Sequence, residues 1–338
     1  MKKYPAKNNK PISRRQFLQQ ATSAAAGLAM GSSLVQGRTY KGKTRQFSTH
    51  TDCDVTFFAI SDVHYGRHFE IGDNEAENKN IIDKMNSAPG KLIYPVTAGG
   101  GIVPQPRAVL VAGDLTDFGT TEEWNGYDIF EGFEDDYLGS GATPGRLNWP
   151  VYECFGNHDI DEESGSSDYA REQVRNRTLA GERPGTFDIS DNGYHYSWTW
   201  DNIHFVNLNL YPGAIGTYAQ GSLEFLINDL AKHIGSSGKA VVLYFHYDFI
   251  RLNWWEPKEQ DAFYNAIKDY NIVAMIHGHR HIDYLESSTW EGINTFNVAT
   301  RNGPERFTIF RIRKNHLFAG ECATDTTWGR TFTKTITT

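Results

Sequence analysis

The chain has 338 residues, of which 39% are hydrophobic, 13% aromatic and 22% charged. That is an ordinary globular composition with enough apolar content for a sizeable core and no mark of disorder. The formal charge is −8, and the first 37 residues hold six cations and no acid, which leaves −14 for the rest. A body that acidic repels a phosphate backbone, so no nucleic-acid partner is expected. Cys53, Cys154 and Cys322 lie far apart with no CxxC pair, which argues against a disulfide framework or a thiolate zinc site.

Residues 1–12 are basic and polar, and Ser13-Arg14-Arg15-Gln16-Phe17-Leu18 leads into a mildly apolar stretch over 21–35. This resembles a twin-arginine export signal, which is an address read by a receptor rather than an anchor. The stretch carries Gly, Ser and Thr and falls short of the ~20 apolar residues that a membrane helix needs. No stable membrane anchor is therefore expected. Residues 1–37 are expected to be the signal peptide, 38–52 a linker and 53–338 a single domain. The mature protein would be periplasmic or secreted after meeting the twin-arginine translocase, and the resemblance implies that this route carries folded proteins.

Along the body, apolar runs predict strands at 54–61, 108–112, 151–155, 194–200, 203–210, 240–246, 272–276, 295–299 and 307–312. Several are continuous and β-branched, as strands buried on both faces are. Asp201-Asn202 marks a two-residue hairpin. Leu223, Leu226, Ile227, Leu230 and Ile234 follow the helical i, i+3, i+4, i+7 spacing, with Gly235 as a stop. Pro257 opens a second helix through about residue 270. No repeat of 20–50 residues occurs, which excludes a solenoid or propeller. The expected fold is α/β, with two mixed sheets packed face to face and flanked by helices. The polar, Gly-rich stretches 70–106, 119–149 and 160–193 look like insertions.

The strand ends concentrate the chemistry. The first run ends in Asp62-Val63-His64, the second in Gly113-Asp114-Leu115-Thr116-Asp117, and the third in Gly156-Asn157-His158-Asp159. His246 closes a later run, and Gly278-His279-Arg280-His281 follows another. In a largely parallel sheet such ends converge on one crevice. Six of the twelve histidines lie in these segments or, as His277 does, directly beside one. Carboxylate, amide and imidazole donors without thiolates suit borderline metals such as Mn, Fe or Zn.

The ordered series D-x-H, G-D-x-x-D, G-N-H-D, a lone H after an apolar strand, and G-H-x-H resembles the motif set of the calcineurin-like metallophosphoesterases. The resemblance spans residues 62–281. It implies a four-layer αββα sandwich and two divalent or trivalent transition-metal ions. It also implies that Asp62, His64, Asp114 and His281 hold the first ion, and that Asp114, Asn157, His246 and His279 hold the second, with Asp114 bridging. His158 would be the general acid, with Asp159 orienting it, and a hydroxide bridging the metals would attack. Asp117 stands where purple acid phosphatases of the same superfamily carry a tyrosine ligand. It is expected to fix the turn instead. His277 is expected in the core or beside the ligands, and Arg67, His68 and Arg280, which could touch phosphate, are expected among solvated charges.

The expected function is hydrolysis of small phosphate mono- or diesters. The alternative is a catalytically inactive, ligand-binding relative, but such a remnant would usually lack a ligand and this chain lacks none. A nuclease is disfavoured by the acidic body, and cyclic-nucleotide hydrolysis by export. Trp254 and Trp255, eight and nine residues past His246, are candidates for a substrate wall.

Overall fold

Strand β1 (Asp54–Ile60) is apolar on nearly every residue because it is covered on both sides. Val55, Phe57 and Ala59 belong to one core cluster, while Phe58 and Ile60 belong to another. The two clusters correspond to the layers of the molecule. This computed structural model describes residues 53–66, 74–126, 131–140, 143–161, 165–213, 220–248, 250, 255–298 and 305–338. The expected signal peptide and linker lie outside the described residues.

Fifteen strands occur among the described residues. Besides β1 they are β2 (Val109–Ala112), the short pair β3 (Gly139–Ser140) and β4 (Thr143–Pro144), β5 (Val151–Cys154), β6 (Thr186–Ile189), β7 (Tyr196–Trp200), β8 (Ile203–Asn207), β9 (Ala240–Tyr244), β10 (Asn271–His277), β11 (Glu286–Trp290), β12 (Ile293–Asn297), β13 (Phe307–Arg313), β14 (His316–Thr324) and β15 (Thr327–Thr335). One sheet has the order β15-β14-β13-β1-β2-β5, and the other β11-β12-β10-β9-β8-β7-β6. Within them β1-β2-β5 and β8-β9-β10-β12 run parallel, and the remaining neighbours are antiparallel.

The sheets pack face to face on an aromatic layer. Phe57 stacks on Phe310 at 5.1 Å and meets Phe205 of the opposite sheet edge-on at 5.3 Å. Trp198, Tyr244, Ala274 and Phe296 complete this inner core. Helix α1 (Asn74–Ser87) covers the outer face of the first sheet with Ile81, Ile82 and Met85. Helix α2 (Thr121–Asn125) lies between β2 and β3, and α3 (Tyr169–Ala180) in the connection from β5 of the first sheet to β6 of the second. Helices α4 (Ser222–Asp229) and α5 (Pro257–Ile267) bring Leu226 and Phe263 into the same cluster as Val206, Val241 and Leu243 of the second sheet. The architecture is therefore the expected α/β sandwich of two mixed sheets flanked by helices.

Local sequence explains most element ends. Asp201 takes φ 52° at the hairpin that pairs Trp200 with Ile203. Beyond α4 the chain makes a wider helical turn over Leu230–Ile234 and stops at Gly235. Pro257 sits at the start of α5, where its missing N–H costs nothing. The three expected insertions contain more order than their polarity suggested, namely α1, α2, α3, β3, β4 and β6. Strands β11, β14 and β15 also lay outside the expected runs. Among the described residues no helix is long and apolar enough to cross a membrane.

Candidate metal centre

The parallel strands β1, β2 and β5 of one sheet and β9 and β10 of the other all deliver loops to the same end of the sandwich. Those loops open abruptly. Asp62, His64, Asp114, His279 and His281 have φ between 42° and 71°, the left-handed region that non-glycine residues visit rarely. Asp and His tolerate that region better than most, and backbone strain of this kind collects at functional sites. The space between loops is equally restricted. A Cβ on Gly113, itself at φ 92°, would collide with the His246 ring, and one on Gly156 with the Asp114 carboxylate.

Asp114 is fully buried at the centre. Its Oδ1 accepts the His158 backbone N–H at 3.0 Å. Its Oδ2 has no hydrogen-bond partner, yet lies 3.2 Å from His246 Nε2, 3.6 Å from His64 Nε2 and 3.9 Å from His281 Nε2. Around it the ligand atoms fall into two groups. Asp62, His64, Asp114 and His281 form the first, and Asp114, His246 and His279 the second. Asn157 Oδ1 joins the second at 3.2 Å from His246 Nε2. Each group takes side chains from both sheets.

The protons on these rings are fixed from behind. His64 Nδ1 lies 3.1 Å from Asp117 Oδ1, and His246 Nδ1 lies 2.8 Å from the carbonyl of Ala112. Donation on that side leaves an Nε2 lone pair facing the centre. The inward-facing atoms then confront one another. His64 Nε2 is 3.0 Å from His281 Nε2, and His246 Nε2 is 3.2 Å from His279 Nδ1. Lone pairs and a partnerless carboxylate oxygen crowded together in a buried place suit a cation among them, so the residues present fit a metal.

The charges agree. Burial works against a charged His246, but the Asp114 carboxylate outweighs it and holds the ring up at about 9. His281 is likewise raised to about 10 against burial by Asp114 and Asp62. Burial, with the positive His246 nearby, pushes His279 down to about 3. The pocket thus attracts positive charge: protons held on His246 and His281 stand in for a cation, and its binding would displace them and free the inward lone pairs.

His158 sits at the rim, with its side chain one-third exposed. Its Nδ1 lies 2.9 Å from the Asp117 carbonyl, and its ring meets His64 edge-on at 4.7 Å. Asp159, expected to orient it, makes no hydrogen bond to its side chain. The Asp159 carboxylate is buried and accepts the N–H groups of Leu115, Thr116 and Gly156 and the Thr116 hydroxyl. It stitches the β2 loop to the β5 loop, while the backbone at Asp117 holds His158.

Of the other singled-out residues, His277 is buried beside Asn297, as expected of a core histidine. Arg280 is not solvated but ion-paired to Asp248 and Glu286. Trp255 is buried against Tyr211, Phe245 and Phe263, so it supports the fold and forms no wall. Trp254, Arg67 and His68 lie outside the described residues.

A family model described as calcineurin-like phosphoesterase matches residues 55–283, more than half of the chain, and spans every motif named above. Among solved structures, GAP50, the anchor in the inner membrane complex of Plasmodium, is similar with a TM-score of 0.51 and 10% identity. That match covers 85% of this chain and 89% of that one. Purple acid phosphatase PPD1 from yellow lupin seeds gives a TM-score of 0.50 and 12% identity over 85% of this chain and 54% of its own. At such identities these two show a shared fold alone. No curated protein matches the chain by sequence.

Proposed function

We propose, from the premise that this chain belongs to the calcineurin-like phosphoesterase family and is a hydrolase acting on phosphate esters, that it cleaves small mono- or diesters with two metal ions that share Asp114. The observation that carries this reading is the buried Asp114 Oδ2, without a hydrogen-bond partner and within 3.9 Å of three imidazole nitrogens. Asp62, His64 and His281 would complete one ion's ligands, and Asn157, His246 and His279 the other's. Mn, Fe and Zn all suit these donors. When bound, such ions acidify water into a nucleophile and neutralise the ester's oxygens.

The chain's own residues supply the rest. Asn157 is a neutral donor, so it leaves the centre more positive toward an anionic phosphate than an aspartate would. Asp117 fixes the His64 tautomer through Nδ1. His158 is the general acid. Its Nδ1–H is anchored on a carbonyl that can only accept, so the proton it gives to the departing oxygen comes from Nε2 while the ring keeps its orientation. Asp159 acts only indirectly, by fixing the two loops that carry Asp114 and His158.

The N-terminal pattern supports export by the twin-arginine translocase, with the mature protein periplasmic or secreted. The acidic body supports a small substrate rather than a nucleic acid.

The deciding measurement is elemental analysis of the purified protein combined with turnover of p-nitrophenyl phosphate and bis-p-nitrophenyl phosphate. Two ions per chain, activity lost on chelation and restored by metal, and loss of both ions in Asp114→Asn are expected. A single tightly held ion with full activity would overturn the two-metal reading.

A further inference from the structure

Arg280 stands between the two histidines of the last motif, where a cation invites the reading of a phosphate contact. Its side chain is only 16% exposed, and its charge is already engaged. Nε lies 3.4 Å from Asp248 Oδ2, and Nη1 donates to Glu286 Oε2 in a short ion pair. Asp248 is itself 1% exposed and stands two residues past His246. Its Oδ1 accepts the Ile250 N–H at 2.7 Å. Glu286 begins β11. One guanidinium therefore joins the loop that carries His246, the turn that carries His279 and His281, and the strand that follows.

That turn needs holding. His279 and His281 both have left-handed φ, at 71° and 48°, and such residues persist where their surroundings over-determine them. Several restraints converge here. The His279 N–H donates to the Asp62 carboxylate at 3.1 Å, the Gly278 carbonyl accepts from Asn297 Nδ2 at 2.7 Å, and Arg280 is drawn to the opposite side by two carboxylates. The first two fix the start of the turn. The Gly278 N–H also donates to the His246 carbonyl at 3.1 Å at the start of the turn, and Arg280 adds a tie to the same loop from the turn's middle.

We propose that Arg280 is a positioning residue. Through Asp248 and Glu286 it sets the separation of His246 from His279, and thereby the affinity for the ion those two histidines share. The inference rests on the two-metal reading. The planar guanidinium fork reaches two carboxylates at once, which a lysine ammonium, acting as a point charge, does not.

The test compares wild type with Arg280→Lys, Arg280→Met and Asp248→Asn by calorimetric titration of the metal-stripped protein with Mn(II). Melting temperature, kcat and KM for p-nitrophenyl phosphate at saturating Mn(II) are measured alongside. Arg280→Lys is expected to bind one of two Mn(II) ions roughly 10–100-fold more weakly, the usual effect of removing a partner that orients ligands. Its KM at saturating metal should stay near wild type. Asp248→Asn should show the same loss, and combining it with Arg280→Met should add little, because both remove one interaction. Unchanged Mn(II) affinity with a raised KM would make Arg280 a phosphate contact and overturn the proposal. A lowered melting temperature with unchanged affinity would reduce it to a structural residue and overturn it as well. A wild-type chain that takes up no Mn(II) removes the two-metal reading itself. A wild type that binds two ions, with Arg280→Lys binding both as tightly, removes only this inference.

Discussion

His158 and Asp159 are neighbours in the chain, yet the structure sends them in different directions. Asp159 turns down into the protein to accept three backbone N–H groups and a hydroxyl, while His158 stays at the rim on a carbonyl. The ligand motifs were legible because metal donors at the ends of apolar runs follow from residue type and position alone. The support of His158 was not, since a backbone carbonyl from another loop leaves no mark in sequence. A general acid held in this way makes a graded prediction. His158→Ala should keep its metals and lower kcat by roughly 10²–10⁴ for alkyl phosphates, where the departing oxygen needs a proton. The loss should be much smaller for nitrophenyl esters, whose leaving group departs as a stable anion. Equal losses in kcat across a series of leaving groups would remove His158 from that role.

Elements were legible where their apolar pattern was strong. Strands β1, β2, β5, β9 and β10 lie on continuous apolar runs, buried on both faces, and helices α4 and α5 on runs that a period of 3.6 or an opening proline picks out. Helix α3 was hidden because it buries only Ala170, Val174 and Thr178, a stripe too small to stand out from a polar stretch. Helix α2 did carry a signal, since Thr120 and Glu123 form a reciprocal cap. Strand β15 is an edge strand rich in threonine, with exposed positions along its length, so burial left little imprint on it.

The hidden helix matters to the site. Glu153 of β5, four residues before Asn157, is fully buried between Arg177 of α3 and Arg183 just beyond it. Arg183 is also buried, with its guanidinium 4.4 Å from the Tyr196 ring. Burial opposes the charge on Glu153, but Arg177 and Arg183 outweigh it and hold its carboxyl below the ordinary range. A depressed carboxyl contributes stability that is present above the unfolded-state pKa of about 4.3 and is lost as pH falls through the lower folded value. Removing Arg183 leaves this buried carboxylate with Arg177 alone. Arg183→Met should therefore cost at most about 3–5 kcal/mol at neutral pH, the figure for a buried charge left with no partner, and less in acid, where Glu153 takes up a proton. Urea midpoints at pH 7 and pH 4 measure this, and a penalty that is equal at both pH values would refute the electrostatic account.

At the scale of the whole molecule, the chain is proposed to combine an export address with a body. The body's architecture followed from alternating runs and their long-range order, and the family match over residues 55–283 agrees with it. The proposed address falls on residues 1–37, outside the described residues, and it is tested in cells. Replacing Arg14 and Arg15 together with Lys should leave full-length precursor inside, detected by fractionation and immunoblotting. Normal export of that variant would refute the twin-arginine assignment.

Each ligand group spans the sandwich. The first joins Asp62, His64 and Asp114 on loops of one sheet to His281 on a loop of the other, and the second sets Asp114 and Asn157 against His246 and His279. Neither half of the sandwich can assemble a complete binding set alone. A loaded centre would therefore act as a rivet through the two sheets, and its occupancy would certify that both had met in register. A chain that leaves the cell already folded would carry that certificate with it: an ion in place before departure reports a finished protein, and an empty rivet hole an unfinished one.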